Sequence, residues 1–182
     1  ASNTGTLART GFVFTGWNTS ANGTGTSYAV ASTTFTTTAD TTLYAQWNST
    51  ITYNTNTATG TVPTAVITKG SASGTFALNS GSGLTKTGLT FAGWNTAANG
   101  SGTNYAVGAT TFVPSGDTTL YAQWNATVTY SVNGATGTAP TAVVTTGSAS
   151  RTFNLNSGSG VTRSNLNFSG WNTKTDGSGI NY

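Results

Sequence analysis

The 182 residues contain no cysteine, no histidine, no glutamate and no methionine. Each absence removes a class of chemistry. Without Cys there are neither disulfides nor metal–thiolate sites. Without His or Glu the usual general bases are missing, and Asp40, Asp117 and Asp176 never recur as a pair within one stretch of chain. No catalytic residue, cofactor site or metal site is assigned, and the chain reads as non-enzymatic. Charge is scarce as well. Six cations (Arg9, Lys69, Lys86, Arg151, Arg163 and Lys174) stand apart, leaving a net charge of +3. Nucleic-acid binding needs clustered Lys and Arg against phosphates, so nucleic acid is not an expected partner. No apolar run reaches the roughly 18 residues of a membrane-spanning helix, so no membrane insertion is expected in this segment.

What is present is a phrase spelled three times. Residues 16–28 read GWNTSANGTGTSY, residues 93–105 read GWNTAANGSGTNY, and residues 170–182 read GWNTKTDGSGINY. Trp17, Trp94 and Trp171 are each 77 residues apart, as are Trp47 and Trp124, Pro63 and Pro140, and Phe76 and Phe153. A fixed period without insertions is the mark of a tandem array of one structural unit. Counted from the ITY segment to LYAQW, residues 49–125 make one complete repeat. Residues 1–48 are then the C-terminal part of one repeat and 126–182 the N-terminal part of the next. Opening and ending mid-copy, with no Met, the sequence reads as a segment of a longer array. Aromatics make up 11% of the chain and recur in phase, which argues for folded units over a disordered Thr/Gly/Asn/Ser tract.

The apolar pattern is that of strands, giving a mostly β fold. TTLYAQW (118–124, and 41–47) sets Leu120, Ala122 and Trp124 on one face and Tyr121 and Gln123 on the other. ATVTYSV (126–132) and ITY (51–53) follow after about two residues, too few for a flexible linker. Consecutive units are therefore expected to stack stiffly into a rod. GTFALN (74–79) and RTFNLN (151–156) read as further strands. In LTFAGW (89–94) the Trp stands an odd number of positions from Phe91 and would point away from it. Gly93 permits a β-bulge that returns Trp94 to the buried side. Asn99-Gly100 then signals a turn. The Gly-rich stretch 79–88 fits either a loop or a short helical turn. Trp17, Trp47, Trp94, Trp124 and Trp171 form the core signature.

Other residues admit two readings. Tyr28, Tyr44, Tyr105 and Tyr121 are candidates for ligand contact, or for packing within and between repeats. The loop NTAANGSGTNY has the oxygen-rich look of a calcium loop, but its Asn, Thr and Ser supply too little negative charge. Arg9, Lys86 and Arg163 share one phase, and surface salt bridges to Asp40 and Asp117 are the expectation for them. Those two aspartates are also placed to cap the turn before TTLYAQW.

The combination KTG-x-TFAGWNTAANGSGTNYA followed by TTLYAQW resembles the Listeria–Bacteroides repeat, the B-repeat type of internalins, across essentially the whole chain. The resemblance implies a small β-grasp-like unit used in tandem as a stalk or spacer of extracellular bacterial surface proteins and adhesins. It carries over no catalytic residue. Residues 79–88 depart from the family pattern and leave its usual helix open. The expected function is structural: stalk, fibre or sheath building block. The expected partners are neighbouring repeats and identical chains. The alternative is an adhesive module in which the repeated tyrosines grip a glycan or a host protein.

Overall fold

The computed structural model describes residues 7–30, 34–68, 75–147 and 152–182. Among them there are strands and turns and no helix, so the fold is mostly β as the alternation predicts. In the first unit lie β1 (Val13–Asn18) and β2 (Ser27–Ala29). Next comes β3 (Tyr44–Asn54), then β4 (Thr59–Gly60), β5 (Val66–Thr68), β6 (Leu84–Thr85), β7 (Thr90–Asn95) and β8 (Asn104–Tyr105). β9 (Thr118–Val128) leads into the last unit, with β10 (Thr136–Gly137), β11 (Val143–Gly147) and β12 (Val161–Thr162).

β3 and β9 are 11 residues long and run without a break through the boundaries expected from the sequence at 48/49 and 125/126. Each joins what the sequence suggests are two strands. The joining residues stay extended because they keep ladder partners on one edge: Ser49, Thr50 and Ile51 pair with Thr68, Ile67 and Val66 of β5. Asn125 and Ala126 pair likewise with Thr146 and Thr145 of β11. The second half of β3 then pairs in parallel with the first half of β9, from Ile51↔Thr118 to Asn54↔Tyr121. β9 pairs antiparallel with β7, and β7 with β8. The middle unit is thus a sheet in the order β5-β3-β9-β7-β8, with its first and last strands side by side and parallel at the centre.

One face of this sheet carries the core. Leu120, Ala122 and Trp124 are 0%, 0% and 1% exposed and pack with Ile51, Tyr53, Leu78, Leu84, Trp94 and Phe112. Each large side chain so buried contributes about 1.5–3 kcal/mol. Phe91 meets Trp94 and Trp124 edge-on at 5.2 and 5.5 Å, and Tyr53 lies 4.7 Å from Trp94. Such aromatic pairs add about 0.5–1.5 kcal/mol beyond their area.

The register of β7 against β9 shifts between Phe91 and Gly93, which is the bulge expected beside Trp94. Gly93 has φ +123°, and a Cβ there would lie 2.2 Å from the Tyr105 carbonyl oxygen. Residues 79–88 form turns around β6 rather than a helical turn. The Leu84 and Leu89 amides bond to Gly81 O and Lys86 O at 2.9 and 3.0 Å. Gly81 has φ +70°, and the Phe91 ring occupies the space of its missing Cβ, so this stretch is a bed for the aromatic core. The strand expected at 74–79 is reduced to a bridge between Phe76 and Phe112. Its first residue, 74, and 151 in the next copy lie outside the described residues.

Candidate functional site

The repeated phrase owes its spelling to one buried amide. Asn95, fully buried at the end of β7, accepts from the Ala97 and Gly102 N–H groups at 2.7 and 3.0 Å. Its Nδ2 donates to Gly100 O, Gly102 O and Asn104 Oδ1 at 3.2, 3.1 and 2.6 Å. Thr96 Oγ1 accepts from the Thr103 amide at 2.9 Å. A Cβ on Gly102 would meet Thr96 Oγ1 and Asn95 Oδ1 at 2.2 and 2.8 Å, which explains the glycine. Asn18 and Asn172 hold their loops in the same way. The inward carbonyl oxygens that make the loop look like a cation seat are satisfied by the amide. No cluster of three or more metal-ligating side chains occurs among the described residues.

Two of the Trp indoles are tied to the backbone, and Trp94 and Trp124 are buried while Trp17, Trp47 and Trp171 are half-buried. Trp94 Nε1 donates to Asn79 O at 2.6 Å, and the Asn79 amide donates to Tyr53 Oη at 3.1 Å. Trp171, Asn156 and Tyr130 repeat this arrangement. Trp17 and Trp47 both meet Phe14 edge-on at 5.4 Å, as Trp94 and Trp124 meet Phe91. Tyr28 and Tyr105 stand opposite Trp17 and Trp94 across their hairpins, each edge-on to a Phe (Phe35 and Phe112) at 5.1 Å. Tyr44 and Tyr121 lie elsewhere, on β3 and β9; Tyr44 is 42% exposed and Tyr121 half-buried.

Two placements differ from the sequence expectation. Gln123, on the face opposite the core, is only 2% exposed. The GWNT loop folds over it, and its Nε2 donates to Tyr121 O at 3.3 Å and reaches Ala97 O at 3.5 Å. The cations of the shared phase do not pair with Asp117. Arg9, Lys86 and Arg163 each open a tight turn whose fourth residue donates back to them. The Arg9 guanidinium sits 3.9 Å above the Phe12 ring, and Lys86 Nζ donates to Asn56 O and Thr57 Oγ1 at 3.2 and 2.9 Å. Asp117 instead accepts from the Thr50 backbone N–H at 2.7 Å. A charge-assisted bond to a strand amide outweighs an exposed ion pair, worth about 0–1 kcal/mol.

Three copies with one internal architecture invite comparison with known repeats, and the sequence matches the Listeria-Bacteroides repeat domain over residues 1–46, 50–123 and 127–182. The chain belongs to the Listeria-Bacteroides repeat family. A relative from Evansella cellulosilytica, described as a Gly-rich membrane protein, is 38% identical over 138 residues, 71% of this chain. This chain spans only 16% of that relative's length. No solved structure matches. Among the described residues no helix is long and apolar enough to cross a membrane.

In this Listeria-Bacteroides repeat array a groove of about 960 Å³ lies in the third unit. Tyr130, Phe153, Leu155, Phe168, Trp171 and Tyr182 line it. They are the counterparts, 77 residues on, of Tyr53, Phe76, Leu78, Phe91, Trp94 and Tyr105. In the middle unit the same surface packs against Leu120, Ala122 and Trp124 of β9 in the core. The groove therefore has the chemistry of a strand-covered core face.

Proposed function

We propose that these repeats are a non-catalytic mechanical spacer of an extracellular bacterial surface protein, a stalk or a building block of a fibre or sheath. The observation that carries this reading is the sharing of one strand by two units. β3 closes the first unit against β1 and, seven residues after its start, opens the second against β9. A joint made of continuous strand, laddered to β5 through the junction, resists bending far more than a Gly/Ser linker. The middle unit is taken as β-grasp-like, because its first and last strands pair in parallel at the sheet centre. The partners this reading assigns are the neighbouring repeats and identical chains alongside. Hydroxyl and amide side chains keep the nearly uncharged surface soluble.

Small-angle scattering on proteins of two, three and four whole repeats tests it. A unit of this size has a radius of gyration of about 11–12 Å, so each added copy should lengthen the particle by roughly 30 Å. A maximum dimension that stays constant or scatters with copy number contradicts the spacer.

A further inference from the structure

The joint between the first two units contains more than a shared strand. Along one edge of β3, β1 is paired up to Val13↔Asn48, and β9 begins at Ile51↔Thr118. Ile51 also pairs with Val66, so β5 lies on the opposite edge. β1 and β9 consequently abut end to end, and the Thr50 N–H faces the step between them. Asp117 fills that step. Its carboxylate accepts from Thr50 N–H at 2.7 Å, and its own N–H donates to Gly11 O at 2.8 Å, just before β1. The partners lie 67 and 106 positions away in sequence, so this is no local turn cap. Beside it the two backbones touch. A Cβ on Gly11 would lie 2.9 Å from Gly116 Cα, and one on Gly116 would lie 3.1 Å from Gly11 Cα. Thr118 Oγ1 to Gly116 O (2.8 Å) and Thr52 Oγ1 to Thr119 Oγ1 (3.0 Å) brace the same seam.

We propose that Asp117, with the Gly11–Gly116 contact, is a clasp that fixes the angle at which one repeat docks on the next. The surface it builds recognises a second repeat of the same kind: an open strand amide and a glycine carbonyl on one side, a Gly-Asp pair on the other. The proposal rests on the spacer reading for its purpose and on these contacts for its substance. Two of the chain's three carboxylates, Asp40 and Asp117, occupy this phase. The glycine does not always recur: Ala39 stands where Gly116 stands. A methyl group there cannot sit on a backbone as closely as Gly116 does on Gly11, so seams of the Ala-Asp type dock at a different angle. The repeat sequence would in this way set the local curvature of the array.

The test uses the 182-residue chain and its variants Asp117→Ala, Asp117→Asn, Gly116→Ala and Asp40→Ala. Amide exchange at Thr50 and the orientation of β1 relative to β7, from residual dipolar couplings, are the readouts. Asp117→Ala should speed Thr50 exchange roughly ten- to a hundredfold, the loss expected for a hydrogen bond to a charged acceptor, and reorient β1 against β7. Asp117→Asn keeps an acceptor oxygen and should retain most of the protection. Gly116→Ala should change the angle, and Asp40→Ala should change neither readout. Should Asp117→Ala fail to fold, the unaltered chain still decides: Thr50 should exchange more slowly than Thr127, its counterpart 77 residues on. Unchanged Thr50 exchange and orientation in Asp117→Ala, equal effects of Asp40→Ala, or equal exchange at Thr50 and Thr127 would overturn the clasp. Reorientation in the variants, combined with an array that does not lengthen with copy number, would leave the clasp standing and remove the spacer.

Discussion

At the scale of single residues the unit is held by a few side chains used several times each. Trp94 fills the core, donates to Asn79 O and contacts Tyr53 and Phe91. Trp94→Ala should cost about 3–5 kcal/mol, the range for a large buried aromatic, read as a lowered urea midpoint. A midpoint unchanged from the parent would mean that the indole is not part of the core. Asp176 replaces the Asn22 and Asn99 of the other loops, accepting from the Ser178 amide and hydroxyl at 3.0 and 2.8 Å. The Ser178 amide, then its hydroxyl, lower the Asp176 pKa below the ordinary 3.8. The sign follows: the contribution of this bond is fully present above the unfolded value and is lost as pH falls through the lowered folded one. A pH titration by NMR should therefore shift the Ser178 amide in acid while the Ser101 and Thr24 amides, bound to neutral Asn oxygens, stay put.

At the scale of elements the key event is that a strand outlasts its unit. The sequence shows TTLYAQW and ITY clearly by alternation, and the bulge by the odd spacing of Trp94 from Phe91. It does not show that Ser49–Thr50 and Asn125–Ala126 stay extended, because their partners in β5 and β11 are supplied from about 20 residues away by tertiary pairing. Gln123 misleads for the same reason, since the loop that buries it comes from 25–26 positions earlier in the chain. The Thr50–Asp117 bond was equally hidden: a period reveals a shared phase, but a backbone amide as partner leaves no mark in the side-chain pattern. The groove of the third unit offers a direct check on how far strand identity carries the fold. A peptide reading TTLYAQWN should bind there, shifting the NMR signals of Trp171, Phe168 and Tyr130. A peptide with Leu, Ala and Trp moved to the alternate face should leave them unmoved. Equal binding by both would show that alternation does not define the core face. Gly93→Ala should lower stability through its contact with Tyr105 O, checked by thermal melting against Gly134→Ala, which carries the strain of φ +76° but whose Cβ would meet nothing within 4 Å. The larger loss at Gly93 is the expected outcome, and equal losses would assign both effects to backbone strain alone.

At the scale of the whole molecule a stiff chain of small units is expected, each too small to bury much surface alone and each completed by its neighbour. Units of about 60–80 residues are marginal in isolation, so neighbour contacts matter for stability as well as for shape. A shared strand should fix the geometry between consecutive units, and the absence of cysteine makes that geometry measurable. Val13 and Thr90 hold equivalent, exposed strand positions 77 residues apart. With Val13→Cys and Thr90→Cys carrying spin labels, pulsed electron resonance should return a single narrow distance distribution near roughly 30 Å, one repeat length. A broad or multimodal distribution, as two units on a flexible tether would give, would contradict the account.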